Sequence, residues 1–219
     1  MRDERELFIR GLEVLRFSYS EEQVEAFFLF LAELKKWSRA YNLTGLKNDA
    51  DIVIKHFLDS LLFLKVLPGD VRTVADIGSG AGFPGVPMKI MQPKLDMALV
   101  EPAQKKTQFL AHVQRKLRLD GLKIINRRIE DVQGEQFDAA VTRALFTIPV
   151  FIHKVERMLT ERGVLILSKG PKVDEELRGI VGRSIRKHDI VLPFQNSMRH
   201  LVVISREQAP QGERKQVIV

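Results

Sequence analysis

Residues 72–85 constrain the fold of this chain more tightly than any other stretch. They run from Arg72 through Val74, Asp76 and Ile77 into Gly78, Gly80, Gly82, Phe83, Pro84 and Gly85. The segment 73–77 is β-branched and apolar up to the glycine cluster, so it reads as a short buried strand. Gly78, Gly80 and Gly82 allow a tight turn whose backbone can approach a ligand with no Cβ in the way. Pro84 suits the first turn of a following helix, where a missing N–H costs nothing. Strand, glycine turn and helix in this order form the entry to a nucleotide-type site in a doubly wound sheet. Taken alone, the glycines specify only a tight turn. Asp76, two residues before the first glycine, and Glu101, at the end of the next expected strand, add chemistry to it.

Glu101 closes a second expected strand over 95–101, at the carboxyl end where ligands bind in such sheets. A carboxylate there can accept both hydroxyls of an adenosine ribose. The spacing fits a nicotinamide dinucleotide as well as S-adenosylmethionine, but the turn is Gly-x-Gly-x-Gly and no second nucleotide half follows.

The remaining segments supply the frame. Helices are expected over 6–17, over 20–40 from the Ser20 cap, and over 48–66. The second carries Val24, Phe27, Phe28, Leu31, Leu34 and Trp37 at helical spacing, a stripe suited to core packing. After the glycine turn the pattern predicts helices at 84–91, 104–117, 148–159 and 174–186. Strands are expected at 122–125, 137–142, 164–167, 190–193 and 201–205. Strand and helix alternate five times, which argues a mainly parallel sheet with helices on both faces. Only a short polar link joins the last two strands, so they should pair antiparallel. A parallel nucleotide fold that ends in an antiparallel hairpin has the plan of the Rossmann-like, S-adenosylmethionine-dependent methyltransferases, which favours methyl transfer over hydride transfer. The expected organisation is a helical extension over 1–70 packed on a core at 71–206, with a polar, frayed tail at 207–219.

Charge and cysteine usage narrow the partners. With 35 Lys and Arg against 28 Asp and Glu, the net charge is +7, which favours an anionic partner, nucleic acid before a membrane surface. Cysteine is absent, which excludes a disulfide scaffold and thiolate metal sites and suits a reducing compartment. No apolar stretch follows the mixed charges of the first residues, and the longest apolar run, 57–67, is broken by Asp59 and Lys65. A soluble cytoplasmic protein is expected.

Four motifs occur in order: Tyr41-Asn42-Leu43-Thr44, His56-Phe57-Leu58-Asp59-Ser60, the turn from Asp76 to Gly85, and Arg199-His200-Leu201-Val202-Val203-Ile204. Together they make the chain resemble the bacterial 16S ribosomal RNA guanine-N7 methyltransferases, the RsmG or glucose-inhibited division protein B family, over about 21–205. The resemblance implies S-adenosylmethionine as cofactor and N7 of one guanine in small-subunit ribosomal RNA as acceptor. It places cofactor contacts on Gly78, Phe83, Ile129, Glu130 and Arg143, to which the residue reading adds Gly80 and Glu101. Family members often carry Asp at the position of Glu101, and the longer carboxylate still reaches a ribose.

No residue is expected to act as a catalytic acid or base. Arg143 and Lys169, at adjacent strand ends, are candidates for positioning. Arg127, Arg128, Lys169, Arg199 and His200 are candidates for RNA contact. His56 and Asp59 share a helix face but lack a third metal ligand, so no metal is expected; hydrogen bonding around the 41–44 turn is their expected use, with RNA contact as the second reading. The implied partner is 16S ribosomal RNA or the small ribosomal subunit, with no DNA and no membrane, and the chain is expected to be a monomer. Two other readings are compatible with the residues alone: an S-adenosylmethionine enzyme with another acceptor, and a non-catalytic nucleotide-binding module.

Overall fold

The computed structural model describes residues 2–46, 48–143 and 145–206; the tail expected at 207–219 lies outside them. Its centre is a seven-stranded sheet in the order β3-β2-β1-β4-β5-β7-β6. The strands are β1 (Thr73–Ile77), β2 (Asp96–Val100), β3 (Leu122–Ile125), β4 (Phe137–Arg143), β5 (Leu159–Lys169), β6 (Arg183–Val191) and β7 (Met198–Arg206). The first five pair parallel, and β7 pairs antiparallel with both β5 and β6. Strand order reverses between β1 and β4, the switch point at which open α/β sheets bind ligands.

The period of two along each strand divides the core into layers. Val74, Leu99, Val141, Ile166 and Val203 point to one face, covered by α1 (Arg2–Val14), α2 (Glu21–Tyr41), α4 (Asp59–Val66), α5 (Gly85–Met91) and α6 (Gln104–Leu117). Ala75, Val100, Ala140, Leu167 and Val202 point to the other, under α7 (Ile148–Val155) and α8 (Val173–Leu177). A short α3 (Asp49–Ile52) runs through a π turn, Val53–Leu58, into α4. Ser20 caps α2 in a full capping box with Gln23, and Asn48 caps α3 through the amides of Ala50 and Asp51. Phe27, Phe30 and Phe57 are fully buried and pack ring on ring, with centroids 5.1 to 5.7 Å apart. Among the described residues no helix is long and apolar enough to cross a membrane.

Three expectations need correction. No helix spans 174–186: α8 ends at Leu177, Gly179 and Gly182 turn the chain at φ +81° and +66°, and β6 begins at Arg183. A left-handed backbone cannot continue a right-handed helix, and β6 then pairs with β7 along its whole length. The first helix starts and stops earlier than expected, at Arg2–Val14, because Arg16 turns left-handed at φ 54°. The helix expected to 159 ends at Val155, and β5 starts at Leu159, five residues before the expected strand, paired there with Phe137.

Candidate active site

β1 delivers the chain to Gly78 at the switch point. The amides of Gly78 and Ser79 donate to the Val100 carbonyl, at 2.8 and 3.2 Å, and tie the turn to the end of β2. Gly78 has φ +72°, and a Cβ there would lie 2.1 Å from Leu145 Cδ2. A Cβ on Gly80, at φ +59°, would meet only the Gly78 carbonyl oxygen, 3.9 Å away. The turn therefore presents bare backbone to open space at Gly80.

Two carboxylates flank that backbone. Glu101 is 5% exposed, and its Oε2 accepts the Gly80 N–H at 2.9 Å while Oε1 accepts that of Ala103 at 3.0 Å. Asn126 donates to the Glu101 and Pro102 carbonyls and fixes the same corner. Asp76 is fully buried. Its Oδ2 accepts the Gly85 N–H at 2.9 Å, and its Oδ1 has no partner. Burial pushes the Asp76 carboxyl up to about 7, against the pull of the Gly85 hydrogen bond.

Across the switch point, the end of β4 supplies Arg143. Its guanidinium donates to the Lys55 carbonyl at 3.0 Å, to Asp59 Oδ2 at 3.3 Å and to His56 Nδ1 at 3.1 Å, and lies 5.4 Å above the Phe83 ring. His56 Nδ1 faces both Arg143 Nη2, at 3.1 Å, and the Lys55 carbonyl, at 3.2 Å, while Nε2 is hydrogen-bonded with Thr44 Oγ1 at 2.8 Å; the tautomer that accepts from the guanidinium gives up the Lys55 contact. Burial first, and the Arg143 charge second, bring the His56 imidazole down to about 4. The ring stacks on Phe83 with centroids 4.5 Å apart. Asp59 Oδ1 also accepts Arg199 Nε at 2.6 Å, so one carboxylate joins β4 to the start of β7.

The expected site residues thus divide into groups. Gly78, Gly80 and Glu101 share one hydrogen-bonded corner. Phe83 and Arg143 share another with His56, and Arg199 reaches it through Asp59. Ile129 is buried in a short turn after β3, Glu130 is exposed and paired with Lys154, and Arg157 donates to both of their carbonyls at 2.7 Å. Arg127 and Arg128 are exposed beside that turn. Lys169 is committed elsewhere: its ammonium bonds Glu176 at 2.8 Å and the Phe146 carbonyl at 2.7 Å, and Glu176 also accepts the Ile148 amide. His200 pairs across the hairpin with Asp189 at 2.7 Å. Sequence reasoning missed the joining role of Asp59. Its spacing from His56 was visible, but its arginine partners were not.

The chain is similar to known proteins in sequence and in fold. A family model described as rRNA small subunit methyltransferase G matches residues 23–202. The ribosomal RNA small subunit methyltransferase G of Francisella philomiragia subsp. philomiragia is 35% identical over 188 residues, 86% of this chain and 91% of that one. A methyltransferase from Geobacter sulfurreducens shares the fold at 12% identity, with a TM-score of 0.58 over 81% of this chain and 90% of that one. So does M. jannaschii TYW2, solved in complex with AdoMet, at 16% identity and a TM-score of 0.50, over 69% and 76% of the respective chains.

Proposed function

The chain belongs to the rRNA small subunit methyltransferase G family, and we propose that it transfers the methyl group of S-adenosylmethionine to N7 of one guanine in 16S ribosomal RNA. The observation that carries the reading is the bare backbone at Gly80, bonded to Glu101 and set at the switch point beside Arg143. That corner fits an adenosine-type cofactor, because each Glu101 oxygen has given one acceptor position to the backbone and keeps another for a ribose hydroxyl. In this reading Gly78, Gly80 and Phe83 shape the floor of the cradle, and Ile129 and Glu130 flank the adenine. Arg143 spends three of its five N–H groups on the fold and keeps the rest for the methionine carboxylate. The cofactor supplies an electrophilic methyl group on a sulfonium.

The acceptor side follows from charge and base chemistry. Arg127, Arg128 and Arg199 serve as phosphate contacts near the cleft, in a chain with a net charge of +7. Lys169 and His200, already paired within the fold, contribute by holding the ends of β5 and β7. Recognition cannot use the arginine fork on O6 and N7, since N7 must stay free to react. The guanine is unpaired or splayed, because the deep groove of an RNA helix does not admit side chains. The enzyme works as a cytoplasmic monomer. Mapping of N7-methylated guanines in 16S ribosomal RNA from cells with and without the gene tests the proposal. Identical maps would refute it.

A further inference from the structure

Asp59 is 4% exposed and faces two guanidiniums with one carboxylate. Oδ1 takes Arg199 Nε at 2.6 Å and Oδ2 takes Arg143 Nη1 at 3.3 Å. These partners stand 140 and 84 residues away along the chain, on strands that do not adjoin in the sheet. The helix that carries Asp59 is locally rebuilt around them. In the π turn the Asp59 amide donates to the Ile54 and His56 carbonyls and passes over that of Lys55, which receives Arg143 instead. His56 Nδ1 lies 3.1 Å from Nη2 of the same guanidinium and 3.2 Å from the Lys55 carbonyl.

A buried ion pair contributes little net stability when weighed against an apolar replacement, because desolvation offsets the attraction. Geometry is what the cluster supplies. We propose that Asp59 is a positioning residue that fixes the spacing between the cofactor-side Arg143 and the acceptor-side Arg199, with His56 setting the orientation of Arg143. This rests on the cofactor and RNA reading given above. Within the cluster two guanidiniums share one carboxylate, so each keeps N–H groups for a ligand.

Asp59→Asn tests the assignment, because it removes the charge and one acceptor and leaves the side chain's size nearly unchanged. Binding of S-adenosylhomocysteine, followed by calorimetry, should weaken about tenfold or more, the scale of one misplaced charge-assisted hydrogen bond. In an Arg143→Gln background the same change should have no further effect. Binding of a 16S-derived RNA oligonucleotide should weaken as well, with its salt slope shallower by up to about 0.7 to 0.9 as the phosphate contact of Arg199 is misplaced, and with no further change in an Arg199→Gln background. A merely structural carboxylate would weaken both ligands in every background, and that result overturns the proposal, as does unchanged binding of both.

If the wild-type chain bound neither ligand, the functional reading itself would fall, which separates the two failures. Should Asp59→Asn not fold, side-chain nitrogen NMR of the wild-type chain decides. The Arg143 and Arg199 guanidinium N–H groups should exchange slowly with solvent and rotate slowly because Asp59 holds both, and freely rotating, rapidly exchanging groups would refute the proposal.

Discussion

Replacing Asp76 with Asn isolates the electrostatic load of the glycine turn. The carboxyl titrates at about 7 in the fold, against 3.8 as its ordinary value, because it is fully buried with one oxygen unpartnered. Between those two pH values the folded chain keeps a proton that the unfolded chain has released. Stability therefore falls as pH rises, by about 1.4 kcal/mol per unit, and levels off above the folded value. From about pH 5 to about pH 8 the loss amounts to roughly 2 to 3 kcal/mol. Asp76→Asn keeps a carbonyl to accept the Gly85 N–H and does not titrate. Urea unfolding of both proteins at the two pH values measures the gap between them, and constant effects of the amide cancel in the comparison. The gap should shift in favour of the variant by roughly 2 to 3 kcal/mol from the lower pH to the higher. A gap that stays constant, or moves in the opposite direction, would refute the assignment of the raised carboxyl to Asp76.

Three further outcomes are expected. Gly78→Val should abolish S-adenosylhomocysteine binding in calorimetry while most of the fold survives, since φ is +72° and even a Cβ would lie 2.1 Å from Leu145. Gly85→Ala should lower the unfolding free energy by about 1 to 3 kcal/mol in urea titration, because its Cβ would fall 2.3 Å from Leu99 Cδ2 and 2.7 Å from Asp76 Oδ2. Arg127→Ala and Arg128→Ala should each reduce the slope of log K against log salt for RNA by about 0.7 to 0.9, as measured by filter binding or anisotropy, if each meets one phosphate.

What the sequence made legible was local or periodic. The glycine turn, the Ser20 cap, α6 and β3 all follow from neighbours within a few residues, and each lies where its pattern puts it. Arg143 and Arg199 were identifiable as cations at strand ends. Asp59 as their common partner was not, because that contact exists only once strands distant in sequence are docked. Lys169 shows the same limit from the other side. A strand-end lysine beside a cleft reads as a ligand contact, and only the short α8 brings Glu176 to it. β6 misled for a different reason. It is an edge strand, exposed along most of its length, and carries Arg183, Arg186, Lys187 and His188 in place of apolar alternation. Charge protects such an edge from further pairing, and the same charge lets the segment pass for a solvated helix face.

The raised carboxyl of Asp76 and the depressed imidazole of His56 invite assignment as acid and base, and the geometry argues against both. Guanine N7 carries an in-plane lone pair at neutral pH. Its attack on the sulfonium methyl moves positive charge from sulfur to the purine and leaves no proton to remove. His56 stays neutral well above its value of about 4. Its Nδ1 faces Arg143 and the Lys55 carbonyl and its Nε2 is bonded to Thr44, so both ring nitrogens are engaged within the fold. Asp76 does titrate near 7, but it is fully buried, with Oδ2 on the Gly85 amide behind the turn. Glu101 directs one oxygen to Gly80 and the other to Ala103. For the proposed reaction this leaves in-line positioning of the reactants, the part of a barrier that positioning can lower. With both substrates saturating, the single-turnover rate of rRNA methylation should be flat between about pH 6 and 8, without the limb that a general base imposes. Asp76→Asn should leave that profile flat even as it changes the pH dependence of stability. A log-linear rise with pH, lost on replacing one carboxylate or histidine in a variant that still binds RNA and cofactor, would show that a base takes part.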